Sequence, residues 1–211
     1  SGTVTATPFP RIAFDDAMLK YGSDKPDLRI PIEMLDTSQL FARSGFKAFK
    51  AAVGKGNVVR AIPVHGIASQ PRSFFDRLVD YAQSLGSQGL AYLTWTGDAV
   101  KGPILKFLSD ELVGELADTC GVGPGDVVFF VCNTKAETDR IAGDLRLKIG
   151  CDLDMVEKDS FRFCWIVDFP MFEWDEKQNS ISFSHNPFSM PQGGMEALEN
   201  EEPLSIKAFQ Y

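Results

Sequence analysis

The 211-residue sequence has no long hydrophobic run and no basic leader at its start. A transmembrane helix needs roughly twenty consecutive apolar residues, and a secretory leader needs a basic segment followed by an apolar one. We therefore expect a soluble protein located in the cytoplasm. Hydrophobic residues make up 44% of the chain, which is enough to bury a full core in one large or two small domains.

Residues that commonly hold metals are scarce. The sequence has two histidines and four cysteines, and the cysteines are scattered at positions 120, 132, 151 and 164. Protein zinc sites use cysteine and histidine ligands at short, paired spacings. The sequence therefore predicts no metal site, and it predicts ordinary buried thiols in a reducing compartment.

Positive charge is also in deficit, because the formal net charge is −8. That sign is unsuited to a protein held mainly by bulk attraction to nucleic acid phosphates, so any RNA contact must be local. The basic residues of one predicted hairpin could touch an RNA backbone, or they could serve solubility and protection of a sheet edge. They are Lys47, Lys50, Lys55 and Arg60.

A phosphate-binding glycine loop is missing in the required order. The segment 121–125 (GVGPG) follows a predicted helix and opens a predicted strand. Phosphate-binding loops instead follow a strand and open a helix, and Pro124 removes a backbone donor. The segment is predicted to be a helix terminator and a turn.

Helical and strand patterns alternate through the middle of the chain. Phe46–Val53 and Val58–Val64 are predicted as a hairpin, and Leu90–Trp95 and Asp126–Cys132 as further strands. Helices are predicted from Ser69 to Gly86, after a Ser109 cap, and from a Thr134–Glu137 capping box to Gly150. This order predicts a two-layer α/β sandwich with a mainly antiparallel sheet.

The last fifth of the chain is strongly aromatic. The run Phe161–Trp174 and the segment after Ser182 are predicted to be two strands of an antiparallel sheet, separated by a polar reversal. Pro187 and Pro191 restrict the backbone around His185 and so fix how the imidazole is presented. From the residues alone, His185 is either a structural histidine or a ligand-binding one.

Several separate strings occur in a recognisable order: YGSDKPDLR at 21–29, GLAY at 89–92, LRLKIG at 145–150, VDFPMFE at 167–173 and HNPF at 185–188. Together they resemble the bacterial type of aspartyl-tRNA synthetase, a class II enzyme. The resemblance covers nearly the whole chain. It implies a fragment without the family's anticodon-binding domain and without its ATP-binding motifs.

The resemblance also implies an α+β fold with three parts. Residues 1–39 would be an N-terminal segment of the catalytic domain, and residues 40–160 would be a GAD-like insertion domain. Residues 161–211 would be an incomplete C-terminal segment of the same catalytic domain. The two end segments would belong to the antiparallel catalytic sheet of class II synthetases.

The function implied by the resemblance is ligation of L-aspartate to tRNA-Asp, with tRNA-Asn left open as a second substrate. The intact enzyme would use ATP and Mg²⁺ and form a homodimer, with no cofactor expected on this chain and no catalytic activity expected from it alone. The alternative is a non-catalytic module that contacts tRNA or protein.

One site residue carries over from the resemblance: His185 matches the histidine that the family places at the aspartate substrate. Its chemistry is suitable, because a bound carboxylate raises the pKa of an imidazole from near 6.5. Asp24, Lys25 and Arg29 match a family string without an assigned role. His65, the other histidine, is interpreted as structural.

Overall fold

The structure is a computed structural model that describes residues 2–97, 99–175, 178–184 and 188–209. The chain forms two compact units. The central unit is Leu19–Lys158, and the terminal unit combines residues 1–18 with residues 159–211. Each unit is described by itself.

The α-helices, in chain order, are α1 (Phe14–Tyr21), α2 (Ser38–Ala42), α3 (Lys47–Val53), α4 (Arg72–Ser84), α5 (Asp110–Cys120), α6 (Lys135–Asp152) and α7 (Gly194–Asn200). Short 3-10 helices occur at Leu105–Phe107 and Pro203–Ser205. Among the described residues, no helix combines the length and apolar character needed to cross a membrane.

The strands of the central unit are β3 (Leu35–Asp36), β4 (Val58–Val64), β5 (Ala91–Thr96), β6 (Ala99–Lys101) and β7 (Val127–Asn133). Those of the terminal unit are β1 (Thr3–Val4), β2 (Arg11–Ala13), β8 (Ser160–Phe161), β9 (Trp165–Val167), β10 (Phe169–Pro170), β11 (Phe172–Asp175), β12 (Ser180–Phe183) and β13 (Lys207–Ala208).

The central unit is built on a five-stranded sheet in the order β3-β4-β7-β5-β6. Every neighbouring pair in this sheet is antiparallel. The predicted α+β class with a mainly antiparallel sheet is therefore confirmed.

Helices cover both faces of this sheet. On one face, α4 and α6 pack on side chains of β4 and β7 such as Ile62 and Phe129. On the other face, α2 and α5 pack on Val59, Leu93 and Phe130. The structure thus has one helical layer more than the predicted two-layer sandwich. The reason lies in β7, whose residues 127–131 are all apolar and buried, so that both of its faces require cover.

The predicted strand at Phe46–Val53 is wrong, since this segment forms helix α3. Phe46, Phe49 and Val53 recur at helical spacing and pack against the second core, while the lysines between them are exposed. Tertiary packing of this stripe outweighs the apparent strand character of a short apolar run. The predicted hairpin with β4 is therefore absent.

Arg60 is not available for the RNA contact suggested from the sequence. Its side chain is only 3% exposed and forms ion pairs with Asp36 and Asp139. Lys135 adds a second cation beside Asp139, at 3.1 Å. Arg60 therefore belongs to a partly buried charge network that joins β3, β4 and α6.

The central unit begins earlier than the predicted insertion domain. Ile30, Ile32 and Met34 are almost fully buried in the core formed with α4 and α6. These residues lie within the predicted N-terminal segment 1–39, yet they pack with the centre of the chain. The burial of these apolar side chains explains why the central unit starts before residue 40, the predicted start of the insertion domain.

Helix α5 begins and ends as the sequence signals predict, whereas α6 departs from them at both ends. The Ser109 side chain accepts from the N–H of Leu112 at the start of α5, and Gly121 ends that helix in the left-handed region. Thr134 precedes α6, but its side chain makes no capping hydrogen bond, so the predicted capping box is not formed. Helix α6 also continues past Gly150 to Asp152.

The terminal unit consists of short two-stranded ladders. β1 pairs with β8 and β2 with β9 in parallel, whereas β10 pairs with β13 and β11 with β12 in antiparallel. The run Phe161–Trp174 is therefore divided among β8–β11 and is not the single predicted strand. Asp168 has φ +59°, a left-handed conformation that interrupts extended structure between β9 and β10.

Candidate functional site

His185 lies outside the described residues, as do Asn186 and Pro187. The residue before them is anchored. The N–H of Ser184 donates to the carbonyl oxygen of Met171 at 3.1 Å, and its hydroxyl donates to the carbonyl of Pro170. The chain therefore enters the His185 segment directly beside β10.

The chain that follows is also tied to the terminal sheet. The N–H of Phe209 donates to the carbonyl of Met190, and the N–H of Gln192 donates to the carbonyl of Lys207 at 2.8 Å. An isolated bridge joins Pro191 to Ala208. Hydrogen bonds to Pro170 and Met171 on one side, and to Lys207 and Phe209 on the other, thus hold the described residues that flank the predicted site.

A cavity of about 370 Å³ adjoins these anchored residues in the terminal unit. It is lined by Arg11, Trp165, Ile166, Val167, Asp168, Gln192, Ala208 and Phe209. The side-chain amide of Gln192 donates to Asp168 at 2.9 Å. A carboxylate, an amide, a guanidinium group and exposed aromatic rings therefore share one concave surface.

In the central unit, the family string at 21–29 lies against one face of α6. Gly143, Arg146 and Gly150 are spaced three and four residues apart, so they share that face. A Cβ atom added at Gly143 would lie 2.9 Å from the carbonyl oxygen of Tyr21, and one at Gly150 would lie 2.7 Å from the Ile30 side chain. The glycines allow the loop to approach the helix closely.

Arg146 holds this loop from inside the protein. Its guanidinium donates to the carbonyl oxygens of Asp27, Ile30 and Ile32 at 2.8, 2.9 and 2.6 Å. It also lies over the Tyr21 ring, 4.9 Å from the ring centre. Burial lowers the pKa of Arg146 from its usual value, while the nearby Tyr21 and acidic groups oppose that shift.

The charged residues of the string at 21–29 form ion pairs with one another at the protein surface. The Lys25 ammonium lies 2.7 Å from the Asp24 carboxylate, and the Arg29 guanidinium forms two hydrogen bonds with Asp27. The Arg29 side chain lowers the pKa of Asp27 by donating to it, an effect that exceeds the opposing effect of burial. Asp24, Lys25 and Arg29 thus form local ion pairs, and the structure assigns them no substrate.

The thiols differ in their surroundings. Burial raises the pKa of Cys120 to about 12 and that of Cys132 to about 11, so both are neutral thiols near pH 7. Cys151 is exposed, which corrects the expectation that all four thiols are buried. Within the described ranges, no three His, Cys, Asp or Glu side chains are grouped closely enough to hold a metal ion.

His65 follows strand β4 and forms one hydrogen bond. Its Nδ1 lies 3.0 Å from the Asp126 carboxylate, which also accepts from the N–H groups of Gly66 and Gly123. The Asp126 carboxylate therefore ties the end of β4 to the start of β7. His65 is part of that junction.

Sequence reasoning missed the role of Arg146. The signal available was an arginine at helical spacing between glycines, on the buried face of α6. Because long cationic side chains normally reach solvent, the apolar stripe of α6 by itself does not indicate a buried arginine. The three carbonyl acceptors come from residues about 115 positions earlier in the chain.

Comparison with known proteins gives two findings. Residues 49–142 match the GAD domain. Over 96% of the chain, the sequence is 52% identical to the aspartate–tRNA(Asp/Asn) ligase of Ehrlichia chaffeensis. The resemblance stated from the motifs is confirmed.

Other relatives extend the match to nearly the full chain. The aspartate–tRNA(Asp/Asn) ligase of Acidiphilium cryptum is 52% identical over 99% of the chain, and that of Beijerinckia indica is 53% identical over 99%. The chain spans about 35% of the length of these curated relatives. The similarity to aspartate–tRNA ligases thus concerns one part of those proteins.

Proposed function

We propose that this chain forms part of an aspartate–tRNA ligase that activates L-aspartate with ATP and transfers it to tRNA-Asp. The observation that carries the proposal is 52% identity over 96% of the chain to a ligase of that name. The names of these relatives include tRNA-Asn, which supports tRNA-Asn as a second substrate. A cytoplasmic location and a homodimeric intact enzyme are part of the same proposal.

The proposed parts of the chain keep the boundaries 1–39, 40–160 and 161–211, with the GAD-like insertion in the middle. The match at residues 49–142 supports the middle assignment without setting its ends. The first and last parts would together contribute to the catalytic domain.

His185 is the proposed contact for the L-aspartate side chain. Support comes from the chemistry, because a protonated imidazole can recognise a carboxylate that asparagine lacks. Support also comes from the anchoring of Ser184 and Gln192 on either side, since a binding residue needs a fixed backbone.

ATP and Mg²⁺ belong to the intact enzyme in this proposal. Because no group of three metal-binding side chains occurs in the described part of the chain, we assign no Mg²⁺ ligand to these residues. The metal would supply charge stabilisation at the phosphates in the intact enzyme. The role proposed for this chain is to contribute the aspartate contact.

The test is aspartate-dependent pyrophosphate exchange with the full-length enzyme. His185→Ala should raise the KM for aspartate by about ten-fold or more while the KM for ATP changes little, because a charge-assisted hydrogen bond contributes about 1.5–3 kcal/mol. His65→Ala is the matched control, since it removes the other histidine, which contacts Asp126. An unchanged KM for aspartate in His185→Ala would return His185 to a structural role.

Assays of the 211-residue chain alone and of the full-length protein together test the two candidate functions. We expect no exchange above the blank, because positioning of the α-phosphate against the aspartate carboxylate provides most of the acceleration. Exchange by the chain alone would contradict this. A full-length protein that shows no exchange with aspartate would contradict the ligase proposal and favour a module that contacts tRNA or protein without chemistry.

A further inference from the structure

A second cleft lies at one end of the central sheet, away from the string at 21–29. Its volume is about 420 Å³. Its walls come from α3, from the loop before β5, from the segment after β6 and from the end of β7. The lining residues that matter to its chemistry are Phe46, Phe49, Asn57, Gln88, Ile104 and Asn133.

Strand β7 extends past the end of its neighbour β5 at this cleft. The pairing of β5 with β7 begins at Ala91 opposite Phe130. On its other side, β7 remains paired with β4 as far as Asn133 opposite Val58. Residues 131–133 therefore have a partner strand on one side only.

The alternation of hydrogen-bonded pairs along β5 and β7 shows which backbone groups of β7 point toward the cleft. The N–H of Trp95 donates to the carbonyl of Asp126 at 2.9 Å, and hydrogen-bonded pairs in an antiparallel ladder recur every second residue. Cys132 lies six residues after Asp126, an even number, so its N–H and C=O point to the same side of β7 as the carbonyl of Asp126. They therefore face the cleft, opposite Gly89. No hydrogen bond to either backbone group of Cys132 occurs on that side among the described residues.

The described residues that form the remaining walls are all uncharged. The apolar part is formed by Phe46, Phe49, Leu90 and Ile104, and the polar part by Asn57, Ser87, Gln88 and Asn133. The Asn133 side-chain carbonyl already accepts from the N–H of Thr134 at 2.8 Å, which leaves its amide N–H groups available. Among the residues that the structure describes, no Asp, Glu, Lys or Arg lines the cleft.

We propose that this cleft binds a neutral planar heterocycle that carries a hydrogen-bond donor and acceptor side by side, as the edge of a nucleobase does. The acceptor would bond to the N–H of Cys132 and the donor to its C=O, while the ring faces meet the apolar wall. A charged ligand would lose its hydration without a counter-charge in the cleft.

The dimensions fit this class of ligand. Pockets for small molecules usually measure about 300–1,000 Å³ and combine an apolar lining with a few fixed polar groups. An added peptide strand would need a longer row of open backbone groups, because strand addition uses alternate residues along an edge. Among the described residues of β7, Cys132 alone presents an unpaired backbone N–H and C=O to this cleft.

The experiment is a titration of the ¹⁵N-labelled 211-residue chain with each of the four ribonucleosides, observed by NMR. We expect a saturable shift of the Cys132 amide signal. The nucleoside that binds most tightly is then methylated on its ring or exocyclic nitrogen donor. The methylated form should bind at least about ten-fold more weakly than its parent, because the donor to the Cys132 carbonyl is lost.

Two matched variants on α3 locate the site. Ala48→Trp places an indole in the cleft and should weaken binding by about ten-fold or more, whereas Ala51→Trp adds the same ring at an exposed position that does not line it. Both positions are exposed on the helix, so both variants should keep the parental spectrum elsewhere. Equal binding by the two variants would overturn the proposed location.

A single-stranded hexanucleotide distinguishes the two sources of a nucleobase. Affinity equal to that of the nucleoside indicates a free nucleoside or nucleotide, whereas tighter binding that weakens at about 0.3 M salt indicates single-stranded RNA. Either result supports the proposed chemistry. Absence of a saturable Cys132 shift with every probe up to about 10 mM would overturn it, because binding that weak leaves no specific site.

Discussion

The Nε atom of Arg146 donates to the carbonyl oxygen of Ile32 at 2.6 Å, in the interior of the central unit. Helix α6 and the loop before β3 are thereby joined through a buried cation that has carbonyl oxygens as its hydrogen-bond acceptors. Backbone dipoles and the Tyr21 ring stabilise the charge, which burial alone would disfavour. The loop conformation and the helix face therefore depend on each other.

Replacement of Arg146 should be strongly destabilising. Arg146→Met keeps much of the side-chain volume but leaves the carbonyls of Asp27, Ile30 and Ile32 without their donor. We expect the free energy of unfolding to fall by about 3 kcal/mol or more. Urea denaturation followed by circular dichroism measures this change.

Arg140→Met is the control on the same helix. Arg140 is half-exposed and pairs with Glu137, so its loss should change the free energy of unfolding by less than about 1 kcal/mol. Similar effects of the two replacements would contradict the special role of Arg146.

Two glycine-to-alanine changes should act in opposite directions. In Gly143→Ala, the new Cβ would lie 2.9 Å from the Tyr21 carbonyl oxygen, and we expect a loss of about 1–3 kcal/mol from overpacking. In Gly114→Ala on α5, a Cβ meets no atom within 4 Å. Gly114→Ala should therefore gain about 0.5–1 kcal/mol from helix propensity. Thermal melts of both variants test the close approach, and a stabilising Gly143→Ala would refute it.

Asp126 should contribute stability that depends on pH. Burial raises its pKa, but the N–H groups of Gly123 and Gly66 and the His65 ring together lower it below the usual value. A group with a depressed folded pKa stabilises the protein above its unfolded pKa of about 3.9 and loses that effect as the pH falls through the folded pKa. Stability should therefore decline with acidification below about pH 4.

Asp126→Ala tests this expectation by urea denaturation at several pH values. The variant should lose about 1–2 kcal/mol at pH 7, and the difference from the parent should shrink as the pH falls. Asp118→Ala removes an exposed carboxylate and should leave the acid dependence unchanged. A deficit for Asp126→Ala that is constant with pH would refute the contribution of its charge.

The central unit should fold by itself only when it includes residues 19–39. A chain of residues 19–158 keeps Ile30, Ile32 and Met34 in the core, and we expect a cooperative melt. A chain of residues 40–160 lacks those side chains and leaves the Arg146 guanidinium without its carbonyl acceptors, so we expect a non-cooperative melt with dye binding. Equal cooperativity of the two chains would show that residues 40–160 fold without residues 19–39.

The sequence alone determined the elements whose signals are local. The spacing of Phe74, Phe75, Leu78 and Ala82 specified α4, Ser109 specified the start of α5, and the apolar run 127–131 specified a buried strand. The rare strings specified the resemblance to aspartate–tRNA ligases, which the relatives confirm. These properties depend on neighbours a few residues apart, so one sequence suffices to predict them.

Tertiary structure decided what depends on distant partners. The segment 47–53 became a helix because its apolar side chains meet β4 and α2, and Arg146 became buried because carbonyls far away in the sequence surround it. The backbone N–H and C=O of Cys132 lack a partner strand because β5 begins at Ala91, opposite Phe130, and β7 continues to Asn133. Pairing register and burial arise between segments distant in sequence, so no local pattern specifies them.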